Sequence, residues 1–224
     1  MTRPTVESLH HSSEYQLVES FTIDEMAQFL AREAGVQKTE SGKLAKNKAG
    51  FWFLMLGMGL FGGAIGWLIG AASKYSADLQ WLGAGWQLGL GFLAFFIIAL
   101  PLHELIHAAF FKMLGAPKVG FGYSAKGLMV YAYAQRFVMQ LRENALVAAM
   151  PFVLITSLLA VLLVFVPQLQ FVWLLILVFH TLGCMGDFIL IKHAWKNRRK
   201  NMVTYDDLEE RRTYFFRRLD LIPK

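Results

Sequence analysis

The sequence predicts an all-α polytopic membrane protein, with four transmembrane helices and a short cytoplasmic β-hairpin between helices two and three. Three observations predict it. Hydrophobic residues make up 56% of the 224 residues and charged residues only 17%, where a soluble domain carries about a quarter charged. Four apolar runs, 51–72, roughly 88–114, 144–166 and 169–191, each reach the ~20 residues a helix needs to cross a bilayer. The lysines and arginines gather on one side of those runs.

The first 50 residues are polar, and no signal peptide is expected there. Within them Thr22 precedes Glu25 by three positions, a capping-box pattern, and Gly35 marks a stop. This predicts a short amphipathic helix. The first apolar run carries Gly59, Gly62, Gly63, Gly66 and Gly70, a small-residue face suited to close helix packing.

The second run ends at Gly115 and Pro117. Val119, Phe121 and Tyr123 then alternate with small or polar residues, "SAKG" suits a turn, and "LMVYAYA" is rich in strand formers. A hairpin is expected; the alternative is an irregular interfacial loop with aromatic anchors. The third and fourth runs are joined through Pro167 and should form a helical hairpin. The C-terminal "TYDDLEERRTYFFRRLD" reads as a second amphipathic helix, with Thr204 as cap and Tyr214, Phe215 and Phe216 at a membrane surface.

Charge orients the set. Arg32, Lys38, Lys43, Lys46 and Lys48 precede the first run. Lys118, Lys126, Arg136 and Arg142 lie between the second and third, and Lys192, Lys196, Arg198, Arg199 and Lys200 follow the fourth. The other two loops hold only Lys74. The positive-inside rule places both termini in the cytoplasm of a multi-pass cell-membrane protein. The net charge of +6 therefore reads as anchoring to anionic lipid headgroups, with no nucleic-acid partner. One cysteine, Cys184, excludes an intrachain disulfide framework.

His103-Glu104-Leu105-Ile106-His107 interrupts the second run. At about 100° per residue, positions four apart return to within about 40° on a helix, so both imidazoles face one point, as a zinc ion requires. Glu104 stands beside them, placed to take a proton from a water that zinc acidifies towards pKa ~7. An ionisable side chain at mid-span costs about 2.5–3.5 kcal/mol on insertion scales, so three in five positions need a purpose. A structural polar network between helices is the alternative.

Depth selects a third ligand. Asp187 lies five residues before Lys192, as His107 lies five before Lys112, so both sit roughly 7–8 Å above their lysine. His180 lies about 10 Å further from that face. Asp187 is the best third ligand; the alternative is an ion pair with Lys192 or a nearby Arg. His180 would stand behind the ligands, gate the site, carry protons, or be a plain buried histidine. Cys184 reads as a packing residue. Gly183 and Gly186 would let the backbone approach the second helix closely.

A membrane-embedded H-E-x-x-H with a distant Asp resembles the site-2 protease clan. More closely, "LPLHELIHAAFFKMLGAP", the hairpin segment and "HTLGCMGDFIL" resemble the "putative zincin peptidase" family of small bacterial membrane proteins, over roughly residues 90 to 195. The resemblance implies Zn2+ held by residues matching His103, His107 and Asp187, with Glu104 as general base. It also implies a hairpin that holds unwound substrate as an added strand. Two departures stand out. Gly186 precedes Asp187 where clan members often have Asp followed by Gly, and no Asn follows Pro151, so Asn144, Thr156 or His180 would have to supply an oxyanion donor.

Three regions are expected. Residues 1–50 form a cytoplasmic segment, 51–195 a four-helix transmembrane zinc metallopeptidase domain, and 196–224 a basic cytoplasmic tail. The expected function is a zinc-dependent intramembrane or membrane-proximal metalloendopeptidase, with a membrane protein or peptide as substrate. The alternative is a catalytically silent scaffold that binds membrane proteins. Metal transport would need polar residues across the bilayer, and the third run offers only Thr156 and Ser157. Membrane di-iron oxygenases need about eight site histidines, and the chain has six in all.

Overall fold

The computed structural model describes residues 3–38, 44–46, 84–124 and 129–219. The predicted first span, with its glycine face, lies outside them. The chain divides into two compact units. The first comprises Met1–Glu33, Leu102–Pro151 and Met185–Lys224; the second comprises Ala34–Pro101 and Phe152–Cys184.

The first unit is built around a sheet, so the all-α reading is corrected. Strands β1 (Tyr15–Thr22), β6 (Met139–Gln140), β7 (Met202–Asp207) and β8 (Arg212–Arg218) form one antiparallel sheet in the order β1-β8-β7-β6. The expected C-terminal amphipathic helix is a strand pair. Its alternation explains why. Val203, Tyr205, Tyr214 and Phe216 share one face with Val6 and Leu9 of helix α1 (Val6–His11). Met202 and Phe215 share the other with Phe21, Phe29, Leu141 and Ala194. A period of two with β-branched and aromatic residues on both faces marks a strand covered on both sides. Tyr214, Phe215 and Phe216 are buried core rather than a membrane-surface anchor. Phe215 is 2% exposed. Phe215→Ala is expected to remove about 3–5 kcal/mol of stability, read by denaturant unfolding in detergent.

The turn between β7 and β8 follows from Asp207, whose Oδ1 accepts the Glu209 N–H at 3.0 Å and the Glu210 N–H at 3.4 Å. At the other end of the unit the predicted capping box is present: the Thr22 N–H donates to Glu25 Oε2 at 2.8 Å. A 3-10 turn (Ile23–Glu25) leads into α2 (Met26–Ala34), and Gly35 follows at φ +89°, a left-handed stop. Near the end of α2, Glu33 lies 3.2 Å from His193 Nδ1 and 3.6 Å from Lys196 Nζ. Burial pushes the Glu33 carboxyl up, but the bond and charge of His193, with Lys196 and Arg32, outweigh it and hold the group below its ordinary 4.5.

The hairpin predicted after the second run is present. β4 (Val119–Ser124) pairs antiparallel with β5 (Met129–Ala134), from Val119 opposite Ala134 to Ser124 opposite Met129. The turn itself lies outside the described residues. Gly120 and Gly122 leave room for the rings of Tyr133 and Tyr131, which cross β4 where a Cβ would stand. The hairpin is tied to the sheet through its chain neighbours. Gln135 Nε2 donates to Asp207 Oδ1 at 2.9 Å, the Arg136 N–H donates to the Asp206 carbonyl at 2.8 Å, and Ser124 Oγ donates to Asp24 Oδ1 at 3.2 Å.

The second unit contains a small strand pair, β2 (Val36–Lys38) with β3 (Leu44–Lys46), and apolar helix. Helix α3 (Ala84–Ala94) widens into a π-helical turn (Phe95–Ala99) and continues as α4 (Leu100–Met113). Pro101 explains the widening, because its ring would meet the carbonyl four residues back and it brings no N–H. α3 packs closely on α6 (Gln170–Gly183) at Gly91, where an added Cβ would lie 3.1 Å from Val172 Cα. Gln87 satisfies the end of this pair, donating to the Gln168 carbonyl at 3.0 Å and accepting from the Phe171 N–H at 3.2 Å.

Among the described residues two helices are long and apolar enough to cross a membrane, Trp86–Met113 and Leu141–Phe165, the latter here α5. A third span results if α6 and α7 (Met185–Lys196), broken at Cys184, count as one. Among the described residues this gives two or three spans in place of the expected four, the first expected run lying outside them, and their length and composition suggest a membrane protein.

Candidate metal centre

α4 carries His103, Glu104 and His107 on its buried side, while Leu105 is exposed. The helical spacing does what the sequence predicts. The two Nε2 atoms lie 3.0 Å apart. From α7, Asp187 brings Oδ2 to 3.3 Å from His103 Nε2 and Oδ1 to 3.5 Å from His107 Nε2. All three residues belong to the first unit.

This donor set suits zinc. Tetrahedral bonds of 2.0–2.2 Å place neighbouring donors about 3.3–3.6 Å apart; the two approaches of Asp187, at 3.3 Å through Oδ2 and 3.5 Å through Oδ1, match this, and the two Nε2 atoms at 3.0 Å are slightly closer. The charge balance also fits, with two imidazoles and one carboxylate around a divalent cation. Asp187 Oδ2 is buried and takes no aligned hydrogen bond, so a lone pair is left for a cation. Lys192, the alternative partner for Asp187, instead donates to the Glu33 carbonyl at 2.8 Å.

His107 is oriented from behind. Its Nδ1 lies 3.1 Å from the carbonyl oxygen of Val147 on α5. A carbonyl can only accept, so Nδ1 carries the proton and Nε2 turns a lone pair towards His103 and Asp187. Glu104 has two distinct oxygens. Oε2 accepts the Ala132 N–H of β5 at 2.6 Å, and Oε1 lies 4.0 Å from His103 Nε2. One oxygen is pinned by the hairpin while the other faces the histidines.

Residues 96–202 match the family model described as "Putative zincin peptidase". Over that stretch the chain is similar to this family. The matched segment contains His103, Glu104, His107, Ala132, Val147 and Asp187. A zincin-type family implies zinc as cofactor and suggests a metallopeptidase. No curated protein and no solved structure matches the chain.

His180 belongs to the second unit, where it is 2% exposed, stacks on Phe152 with ring centroids 6.4 Å apart, and has Cys184 Sγ 3.6 Å from its Nε2. Asn144 is half-buried on the first turn of α5, three residues before Val147. Among the described residues the expected close approach at Gly186 is not made: an added Cβ there would meet Leu30, at 3.6 Å. Sequence reasoning missed the Val147 carbonyl and the Ala132 N–H. Both are backbone groups, for which residue type carries no direct signal.

Proposed function

We propose that the chain is a zinc-dependent endopeptidase acting within or beside the membrane, with both termini cytoplasmic. The observation that carries this is the triangle of His103, His107 and Asp187 donors with Glu104 Oε1 beside it. Three protein ligands leave a fourth position open, the pattern of a catalytic rather than a structural zinc site.

Bound zinc would supply Lewis acidity, polarising a peptide carbonyl and acidifying a water. In this reading Glu104 is the general base. Oε1 takes the proton of the attacking water, while Oε2 stays on the Ala132 N–H so that the carboxylate does not rotate away. The same proton then passes to the leaving amine nitrogen.

The substrate in this reading is a membrane protein or membrane-bound peptide, presented as an extended segment along β5. Ala132 directs its N–H away from β4, towards Glu104, so the outer edge of β5 runs past the site. An extended chain laid on that edge would bring its scissile carbonyl beside the histidines.

The test is cleavage of membrane-tethered extended reporters by purified protein in liposomes, followed by mass spectrometry. A zinc chelator should abolish product and added zinc restore it. Cleavage that survives complete removal of metal would contradict the proposal.

A further inference from the structure

Pro151 sits inside α5 and is among the fully buried side chains. In a regular helix residue 151 would donate its N–H to the carbonyl of residue 147. Proline has no N–H to give. The Val147 carbonyl therefore loses its helix partner, and Val147 is only 2% exposed, so water does not replace it. Within a membrane-spanning helix such a freed carbonyl must find a donor on a neighbouring element. The donor found is His107 Nδ1, at 3.1 Å.

We propose that Pro151 is a positioning residue for the metal centre. By withholding one helix N–H it leaves the Val147 carbonyl to His107, and so fixes both the tautomer and the ring plane of a ligand. The inference rests on the reading of His107 as a zinc ligand; its geometric half stands on the helix alone. The freed carbonyl is the one that faces the H-E-x-x-H helix, which a proline serving only to bend α5 would not require. The cost of an interrupted helix is thereby converted into an acceptor at a defined point.

Pro151→Ala returns the N–H. The helix bond to Val147 re-forms, and His107 competes for one carbonyl. Zinc affinity, measured by competition with a chromogenic chelator, should fall about 10–100-fold, the range for losing a partner behind a metal-bound histidine. Thermal stability of the metal-free protein should not fall, since alanine is the better helix former. Nitrogen NMR of histidine-labelled, metal-free protein should show His107 protonated on Nδ1 in the parent and as a mixture of tautomers in the variant. A second substitution separates the missing donor from the ring. The α-hydroxy-acid analogue of alanine at position 151 lacks both N–H and ring, and should keep the parental tautomer and zinc affinity.

Unchanged tautomer and unchanged affinity in Pro151→Ala would overturn the proposal. So would a hydroxy-acid variant as weak as the alanine one, which would make the ring rather than the absent donor decisive. A parent that binds no zinc, but whose His107 tautomer still shifts in Pro151→Ala, would support the geometric half while rejecting the zinc reading itself.

Discussion

Glu104→Gln should leave zinc bound at one equivalent and lower kcat/KM by about 10²–10⁴-fold, the range for losing general-base assistance. The substitution keeps shape and keeps an acceptor oxygen for the Ala132 N–H, which Glu104 Oε2 accepts at 2.6 Å. What it removes is the ability to take a proton at the other oxygen. The loss should appear in kcat with KM little changed, because Glu104 acts on the attacking water rather than on substrate binding. The measurement is steady-state cleavage of a membrane-tethered reporter, with metal content determined on the same preparation. Undiminished turnover in a zinc-replete variant would remove Glu104 from the chemistry.

Asp187→Ala should lose the metal itself. The two imidazole nitrogens, 3.0 Å apart, would then lack the carboxylate that completes the triangle and balances the ion's charge. Zinc affinity should drop by more than the 10–100-fold typical of groups behind the ligands, since a direct ligand is being deleted. Asp187→Asn should fall between the parent and Asp187→Ala, as the amide keeps an oxygen but no charge. Equilibrium zinc competition checks both. Retention of parental affinity in Asp187→Ala would place the third ligand elsewhere.

The site was legible where side chains obey a short repeat. His103 and His107 lie one helical turn apart, and that alone aims both at one point. Asp187 came from matching depth along two apolar runs. The parts not legible are backbone groups. The Ala132 N–H is chosen by strand register, and the Val147 carbonyl is chosen by a proline four residues later. Pro151 was the visible trace of the second, but its consequence depends on which helix faces it.

The fold was less legible. The hairpin of β4 and β5 announced itself through alternation and strand formers. The four-stranded sheet did not, because its strands come from Tyr15–Thr22, Met139–Gln140 and the two C-terminal segments, and only long-range pairing unites them. Aromatic residues beside arginines in "TYFFRR" are compatible with a membrane surface as well as with a strand covered on both faces. Burial decides, and burial is a property of the assembled unit. The sheet nevertheless bears on function. Gln135 and Arg136 tie the hairpin to β7 and its turn, so the strand that pins Glu104 is itself held by the sheet.

Zinc K-edge absorption spectroscopy of the purified, zinc-loaded protein reads the identity of the donors around the ion. A first shell of nitrogen and oxygen alone at about 2.0–2.2 Å is expected, with an imidazole signature for two histidines and loss of one light-atom ligand in Asp187→Ala. A sulfur scatterer at about 2.3 Å, which in this chain of one cysteine would have to come from Cys184 or a methionine, would contradict it.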